Sequence, residues 1–569
     1  MKRKLRSSVP CSAEELLSSA ESEVLSKSGR SKIRSLIWSF GPSYGIVSSL
    51  PSALHVHVDQ SLDSLKQYLK SGKTESVAAG AGDRSSCSPP FKSFKNSSRL
   101  KRSDDHEDEA TLPEPGSETL NVLKKLRAYA YITHLCVSHP KSIFSPSDLF
   151  ETVQSLHGSL VLYDDHFVQS EVASLCEKWW KEDFPGREIV ISQSLPYLLS
   201  KSLAEGKKTD VHRVYTLREA FTLFDYEDDS IEDLRLLIVR CVISPVYLKT
   251  KEGRGFIAFI LGLNRQLLKE ALVLIRSQIP FGKKSVLEGY AEILFKAWRG
   301  SVDFTKEEIE NGFLQGLVEG AIFAQNKQLA SSIRRVLSGF VCQRATSGVD
   351  KLLFRLAEPL LFRSLQVANS NVRHNALFLF LDLFPIEDPD VTKEEKDILL
   401  EKQYFLLQKL LMDECPEVRA VTVEGLCRIL NLFWEVIPSS TIIKLLGKVI
   451  DDMGSDICNE VRLSTVNGII YLLENPQSHE IMKVLLPRIG YLLSDPCLSV
   501  RVSAADLLLE VGQTRTFQLN KVVSLDSLFS SLADDHERVA RKLTRLLIPS
   551  YLPSKVTPKE ACNRFFSLS

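Results

Sequence analysis

The sequence predicts an all-α chain built as an array of helical hairpins, with an N-terminal tail that does not order. Three observations predict it. Helix-length apolar segments of 3.6-residue period follow one another from about residue 118 to the end. Strand-like alternation is confined to the short REIVISQS. A five-fold internal repeat fills the last third of the chain.

Composition sets the limits. Of 569 residues, 44% are hydrophobic and 25% charged, which is ordinary for a globular chain. Lys+Arg and Asp+Glu are 71 each, so a uniformly basic, histone-like protein is excluded and any nucleic-acid contact needs a local basic surface. The 11 cysteines are scattered without a CxxC, and those in apolar helical runs (Cys176, Cys241, Cys427) read as reduced, buried small hydrophobes in a cytosolic or nuclear setting. No Cys/His pairing has zinc spacing. The start, MKRKLRSSVPCSAEELLSSAES, lacks the apolar core of a signal peptide, and no apolar run is long enough to span a bilayer.

Residues 1–117 are rich in Ser, Lys, Arg and Gly, with little to bury, and are expected to be a mostly disordered tail. Two apolar islands interrupt it, RSLIWSFGPSYGIVSSLP and SLDSLKQYLK, which fit docking segments or a remnant helix. Two basic clusters, Lys2, Arg3, Lys4 with Arg6, and Arg99 with Lys101 and Arg102, are candidate nuclear-localisation signals, the alternative being an ordinary charged tail. Residues 118–348 read as a helical HEAT-like region: LNVLKKLRAYAYITHLCV, QSEVASLCEKWWKE, SIEDLRLLIVRCVI, RQLLKEALVLIRSQI, SVLEGYAEILFKAW and EEIENGFLQGLVEGAIFA are amphipathic and separated by short Gly-, Pro-, Asp- or Asn-bearing loops. Trp179, Trp180 and Trp298 lie in these segments and read as core packing, with an exposed anchor for a partner as the alternative.

Residues 349–555 hold the regular repeats and 556–569 a C-terminal tail. NSNVRHNALFLFLDLF, CPEVRAVTVEGLCRIL, CNEVRLSTVNGIIYLL, CLSVRVSAADLLLEVG and HERVARKLTRLLIPSY align on Arg373, Arg419, Arg462, Arg501 and Arg541, at spacings of 46, 43, 39 and 40 residues. That is the period of a two-helix HEAT or armadillo unit, giving a HEAT/armadillo-like α-solenoid. Offsets −1, +3, +7 and +10 from the arginine are apolar or small and lie on one helix face, the expected buried stripe. Apolar first helices precede each: LLFRLAEPLLFRSL, DILLEKQYFLLQKLLM, STIIKLLGKVIDDM, IMKVLLPRIGYLL and SLDSLFSSLA. An aspartate stands six residues before the arginine in four repeats; the first has Val367 there. This predicts a structural ladder of Asp413, Arg419, Asp456, Arg462, Asp495, Arg501, Asp535 and Arg541 that sets the register, the alternative being arginines that bind phosphate.

The longer phrases FDYEDDSIEDLRLLIVRCVISPVYLKTKEGRGFIAFILG (224–262), AEILFKAW (291–298), VDKLLFRLAEPLLFRSLQVANSNVRHNALFLFLDLFPIEDPD (349–390) and RVARKLTRLLIPSYLP (538–553) are more specific than the repeat. Through them the chain resembles the G-type HEAT-repeat, kleisin-associated non-SMC subunits of condensin II, over about 118–555. The resemblance implies a non-catalytic regulatory subunit without a cofactor. Its partners would be the condensin II kleisin, the SMC ATPase pair through that kleisin, and double-stranded DNA in chromatin, with no membrane and no small-molecule substrate. It implies work on nuclear chromosomes in mitotic condensation and segregation. Members of that family are longer, so a truncated product or an incomplete gene model is expected. Another HEAT scaffold, such as an import receptor or phosphatase scaffold, is the alternative.

Motifs for an enzyme are weak. Ser71-Gly72-Lys73-Thr74 ends like a P-loop, but Gln67 stands where its first glycine belongs. His55 and His57 form a lone pair without further ligands, expected to be solvated in the tail. Arg538, Arg541, Lys542 and Arg545 share a helical face, which makes Arg538, Lys542 and Arg545 candidate DNA-phosphate contacts; Arg334, Arg335, Lys351 and Arg355 could extend a basic stripe. A solvated face, with Arg541 in the ladder, is the alternative.

Overall fold

A computed structural model describes residues 12–78, 115–301, 303–551 and 557–566. Among the described residues the chain is helical with no strand. REIVISQS is a series of turns running into the helix Ser194–Glu205, with Val190 and Ile191 buried. β-Branched residues there fill a core from a turn rather than pair in a sheet. Contacts divide the chain into two compact units, Met1–Ala271 and Leu272–Ser569.

In the N-terminal unit the expected tail needs correction. Three helices, Ala13–Glu23, Lys27–Trp38 and Gly45–Ala78, occupy most of its first two thirds. Ser12 and Ser26 cap the first two, accepting from the backbone N–H of Glu15 (3.2 Å) and Gly29 (3.0 Å). Gly29 lets these helices meet closely, since a Cβ there would lie 2.0 Å from the Glu23 carbonyl oxygen. Leu16, Leu17, Ile37, Leu50, Leu54 and Val58 are all but fully buried. They pack toward the helices Pro115–Val137 and Pro146–Gly158. The two apolar islands are the middle of this core. Apolar residues are sparse along the tract because each helix buries only one stripe. The remainder of the tract, 1–11 and 79–114, lies outside the described residues.

Helices His166–Lys181, Ser194–Glu205, Lys208–Thr216, Glu232–Ile243 and Lys251–Ile260 complete this unit. Trp179 is fully buried, donating its indole N–H to the Pro185 carbonyl at 3.0 Å, while half-buried Trp180 lies under the Arg187 guanidinium.

The C-terminal unit contains the repeats. Their second helices are Ser370–Leu383, Pro416–Phe433, Asn459–Leu473, Leu498–Gln513 and Glu537–Tyr551, each packed on the next. The first helices are Val349–Ser364, Lys393–Leu411, Ser439–Lys448, His479–Leu485 and Leu525–Asp534. The third continues as a π-turn through Val449–Met453, and the fourth tightens to 3₁₀ turns at Pro487, where the missing N–H breaks the ladder of backbone bonds. Trp298 is buried against Phe340, with its N–H bonded to Glu310 at 2.7 Å.

Apart from half-buried Val372, the second helices bury the expected stripe through the fourth repeat. Val418, Val461, Val500, Phe380, Leu426, Ile469 and Leu508 are buried. Thr422 and Thr465 are buried too, and return their hydroxyls to the Val418 and Val461 carbonyls at 2.7 and 3.0 Å. Helices approach closely at Gly468, where a Cβ would stand 2.6 Å from the Cys427 sulfur. Gly468→Ala is expected to cost about 1–3 kcal/mol through overpacking, read as a lowered midpoint in urea unfolding; an unchanged midpoint would contradict the close approach.

The fifth repeat departs from the alignment. Val539, Leu543 and Leu547 are buried, whereas Thr544 is exposed and Ile548 is 48% exposed. The turn explains this. Asp413, Asp456 and Asp495 each accept the N–H two residues on, from Cys415, Cys458 and Cys497 at 2.8 Å. Asp535 instead accepts from the adjacent His536 at 2.6 Å, and the helix begins one residue sooner. One residue is about 100° of helix rotation. The buried stripe therefore moves by one position, and Arg541 leaves the place its counterparts hold.

Candidate binding surface of the repeat array

The arginines and aspartates are joined between repeats. Arg373 binds Asp413 through Nε and Nη2, both at 2.7 Å. Arg419 binds Asp456 at 2.7 and 2.8 Å, and Arg462 binds Asp495 at 2.6 and 2.9 Å. Arg501 binds Asp535 through Nε at 2.9 and 3.0 Å. The free Nη1 of each turns back to its own inter-helix turn, onto the carbonyls of Val367, Asp413, Asp456 and Asp495 at 2.7–2.9 Å. Each joint thus ties an arginine's own turn, the next repeat's carboxylate and, through that carboxylate, the N-terminus of the next helix.

Two details correct the sequence reading. Pairing runs forward to the next repeat, so Arg373 belongs to the ladder although Val367 precedes it. A backbone carbonyl is all that position contributes, and any residue supplies one. Arg541 is outside the ladder: it is exposed and pairs with Glu537 one turn earlier in its own helix. The arginines Arg373, Arg419 and Arg462 are mostly buried, with side chains 12% exposed, and their pairing raises their pKa values. Bound on both sides, they have no vacant fork for a phosphate.

A second row of polar contacts crosses the opposite, open face of the second helices. Ser464 donates to Glu424 at 2.7 Å, Ser503 to Asn467 at 2.5 Å, and Lys542 pairs with Asp506. With the fifth repeat shifted by one residue, Lys542 occupies the position of Ser464 and Ser503. It is therefore a rung of this row.

Beside this row lies an open groove. Leu379, Leu381, Phe384, Ile429, Leu432 and Phe433 form its apolar lining, and Glu288, Arg334, Arg335, Asp382 and Arg428 its charged rim. A recess sharing Arg334, Leu381, Asp382 and Arg428 continues past Gly425 and Gly468 to Tyr471. Arg334 binds Asp382 at 2.6 Å and lies over the Phe378 ring, 4.6 Å from its centroid. Arg428 donates to the Leu381 carbonyl at 3.0 Å and pairs with no carboxylate among the described residues. Leu432 is 64% exposed at one margin. Sequence reasoning missed this groove. Its signal is the pair of offsets +5 and +9 from the ladder arginine, which carry Phe378 and Asp382, Glu424 and Arg428, then Asn467 and Tyr471.

The other singled-out residues are placed as follows. Lys2, Arg3, Lys4, Arg6, Arg99, Lys101 and Arg102 lie outside the described residues. Residues 71–74 continue the helix Gly45–Ala78, a conformation that cannot cradle a phosphate as a loop does. His55 and His57 lie in that packed helix rather than in a tail, His55 beside Asp59 (3.4 Å) and Glu151 (3.6 Å) and His57 tilted against Tyr129. Arg335, Lys351 and Arg355 pair with Glu288, Asp390 and Glu310, so these cations do not form a free stripe. Arg538 and Arg545 are exposed on the last repeat helix. Among the described residues no cluster of His, Cys, Asp and Glu could hold a metal ion, and no helix is long and apolar enough to cross a membrane.

Comparison with known proteins adds kinship to this geometry. The family model described as "Condensin II non structural maintenance of chromosomes subunit" matches residues 240–388. Condensin-2 complex subunit G2 of Mus musculus is 32% identical over 403 residues, 70% of this chain and 35% of that protein. The Homo sapiens protein of the same name is 32% identical over 425 residues, 74% of this chain and 37% of that protein. A solved Pds5–Scc1 complex, described in connection with cohesin function, aligns with 79% of this chain and 71% of that one at 12% identity and a TM-score of 0.38. The chain spans about a third of the length of the curated relatives it matches. Over most of its own length, it is a homologue of the condensin-2 G2 subunits and a relative of the condensin II non-SMC family.

Proposed function

We propose that this chain is a non-catalytic regulatory subunit of condensin II that holds an extended segment of the kleisin subunit. The observation that carries the reading is the groove on the second helices of the first repeats. It is open along its length, apolar inside and charged at the rim. Such a surface suits a peptide laid across several repeats, with apolar side chains set into the groove and polar ones at the rim. Through the kleisin the subunit joins the SMC pair, and it acts on nuclear chromosomes in mitotic condensation. For double-stranded DNA, exposed Arg538 and Arg545 are the phosphate contacts this reading retains. Lys542 is withdrawn from it, because Asp506 already neutralises the ammonium.

Affinity purification of the tagged chain from dividing cells, followed by mass spectrometry, tests this. The expected recovery is a kleisin and two SMC proteins. Leu432→Asp combined with Arg428→Glu puts charge into the apolar groove and is expected to lower kleisin recovery about tenfold or more, the loss of one hot-spot contact. Recovery of import factors or a phosphatase core in place of a kleisin would overturn the assignment. Unchanged kleisin recovery by the double variant would move the docking surface elsewhere.

A further inference from the structure

The N-terminal unit contains a group of arginines that neither the ladder nor the groove uses. Arg30, on the helix Lys27–Trp38, donates Nε to the Val24 carbonyl at 3.0 Å. Its guanidinium lies over Tyr131, 4.7 Å from the ring centroid, and the Tyr131 hydroxyl donates to the Arg30 carbonyl at 3.2 Å. Arg127, on the helix Pro115–Val137, lies over Phe167, 4.4 Å from that centroid. Both guanidiniums are thus held in place by aromatic rings. Beside Arg30 stands Glu171, its carboxylate 2.6 Å from Nη2 of Arg30, and its charge also acts on Arg127. Arg127, desolvated by burial and facing the Arg30 charge, has its pKa lowered.

The group is under-satisfied. Nε of Arg127 is buried without a hydrogen-bond partner, and Nη2 of Arg30 is buried and near Glu171 but without hydrogen-bond geometry. The other nearby carboxylate, Asp165, accepts the Phe167 backbone N–H at 2.7 Å as cap of the helix His166–Lys181. Buried donors on paired like charges are costly unless an anion or a water meets them. An isolated structural ion pair needs one arginine and one carboxylate. Here two ring-held forks stand together with one carboxylate, Glu171, paired to Arg30 alone.

We propose that Arg30 and Arg127 form a phosphate-monoester site for a phosphoserine or phosphothreonine side chain of a partner peptide, with Glu171 as the internal carboxylate that the phosphate displaces. Two guanidinium forks match the three oxygens of a phosphate monoester. A duplex backbone is favoured by a line of exposed cations, whereas the Arg30 side chain is only 25% exposed. Phe167, 49% exposed at the margin, offers an apolar ledge for a residue flanking the phosphate. The site does not depend on the condensin reading.

The test is fluorescence-polarisation binding of the full chain to a labelled degenerate phosphoserine peptide library. The same library without phosphate and a short labelled DNA duplex serve as controls. The phosphorylated library alone is expected to bind with an Arg127 dependence. Arg127→Gln should weaken it about tenfold or more, the loss of a charge-assisted hydrogen bond. Glu171→Gln removes the competing charge, keeps the shape and should tighten binding. Equal binding of both libraries, binding of DNA alone with the same Arg127 dependence, or weakening by Glu171→Gln would each overturn the proposal. If Arg127→Gln unfolds the protein, the Glu171→Gln result decides alone.

Discussion

Replacing Arg462 by alanine is expected to destabilise the C-terminal unit by about 3–5 kcal/mol, the cost of leaving a buried charge without its partner. The Asp495 side chain is 3% exposed, and Arg462 supplies it with two hydrogen bonds at 2.6 and 2.9 Å. The same arginine satisfies the Asp456 carbonyl at 2.7 Å. Arg541→Ala is the contrast. Its pair with Glu537 is exposed on both sides, and such pairs contribute about 0–1 kcal/mol. Urea unfolding of the two variants checks this. Equal losses would mean that the ladder does not hold the repeats together. The acid behaviour follows with a definite sign. Burial alone would raise the pKa of Asp495, but the hydrogen bond from Arg462 and the Cys497 N–H hold it below the ordinary 3.8. A depressed carboxylate contributes stability above its unfolded value, and that stability is lost as pH falls below about 4. Asp495→Asn is expected to be less stable at neutral pH and to lose less on acidification.

The second large effect concerns the first 117 residues. A chain starting at residue 118 is expected not to form the N-terminal unit. It would lose Leu16, Leu17, Ile37, Leu50, Leu54 and Val58, all buried, each contributing roughly 1.5–3 kcal/mol. Their sum exceeds or rivals the whole stability of a typical domain, about 5–15 kcal/mol. The helix Pro115–Val137 would also lose the bond from the Tyr129 hydroxyl to Glu21 at 2.5 Å. Limited proteolysis and circular dichroism of the shortened chain check this. Protection of residues 118–271 equal to that in the full chain would show that the first helices are dispensable.

Periodicity alone determined the helical class, the hairpin repeat and most of its register, because a helix that buries one stripe must repeat apolar residues every three or four positions. Val418, Val461 and Val500 were identifiable as core from offset alone, and Asp413, Arg419, Asp456, Arg462, Asp495, Arg501 and Asp535 as ladder members from their spacing. The resemblance in the phrases at 224–262 and 349–390 pointed to the condensin II family before any geometry was known. Tertiary structure decided the rest. The direction of ladder pairing depends on which neighbour each arginine faces, so only the stacked repeats bring in Arg373 and exclude Arg541. A turn one residue shorter at Asp535 leaves the motif intact in the sequence yet rotates every side chain after it. The helices of 13–78 were hidden because sparse apolar residues count as a core only once a partner surface covers them. The groove and the arginine pair Arg30 and Arg127 draw residues from distant segments, and no spacing along the chain records which of them meet.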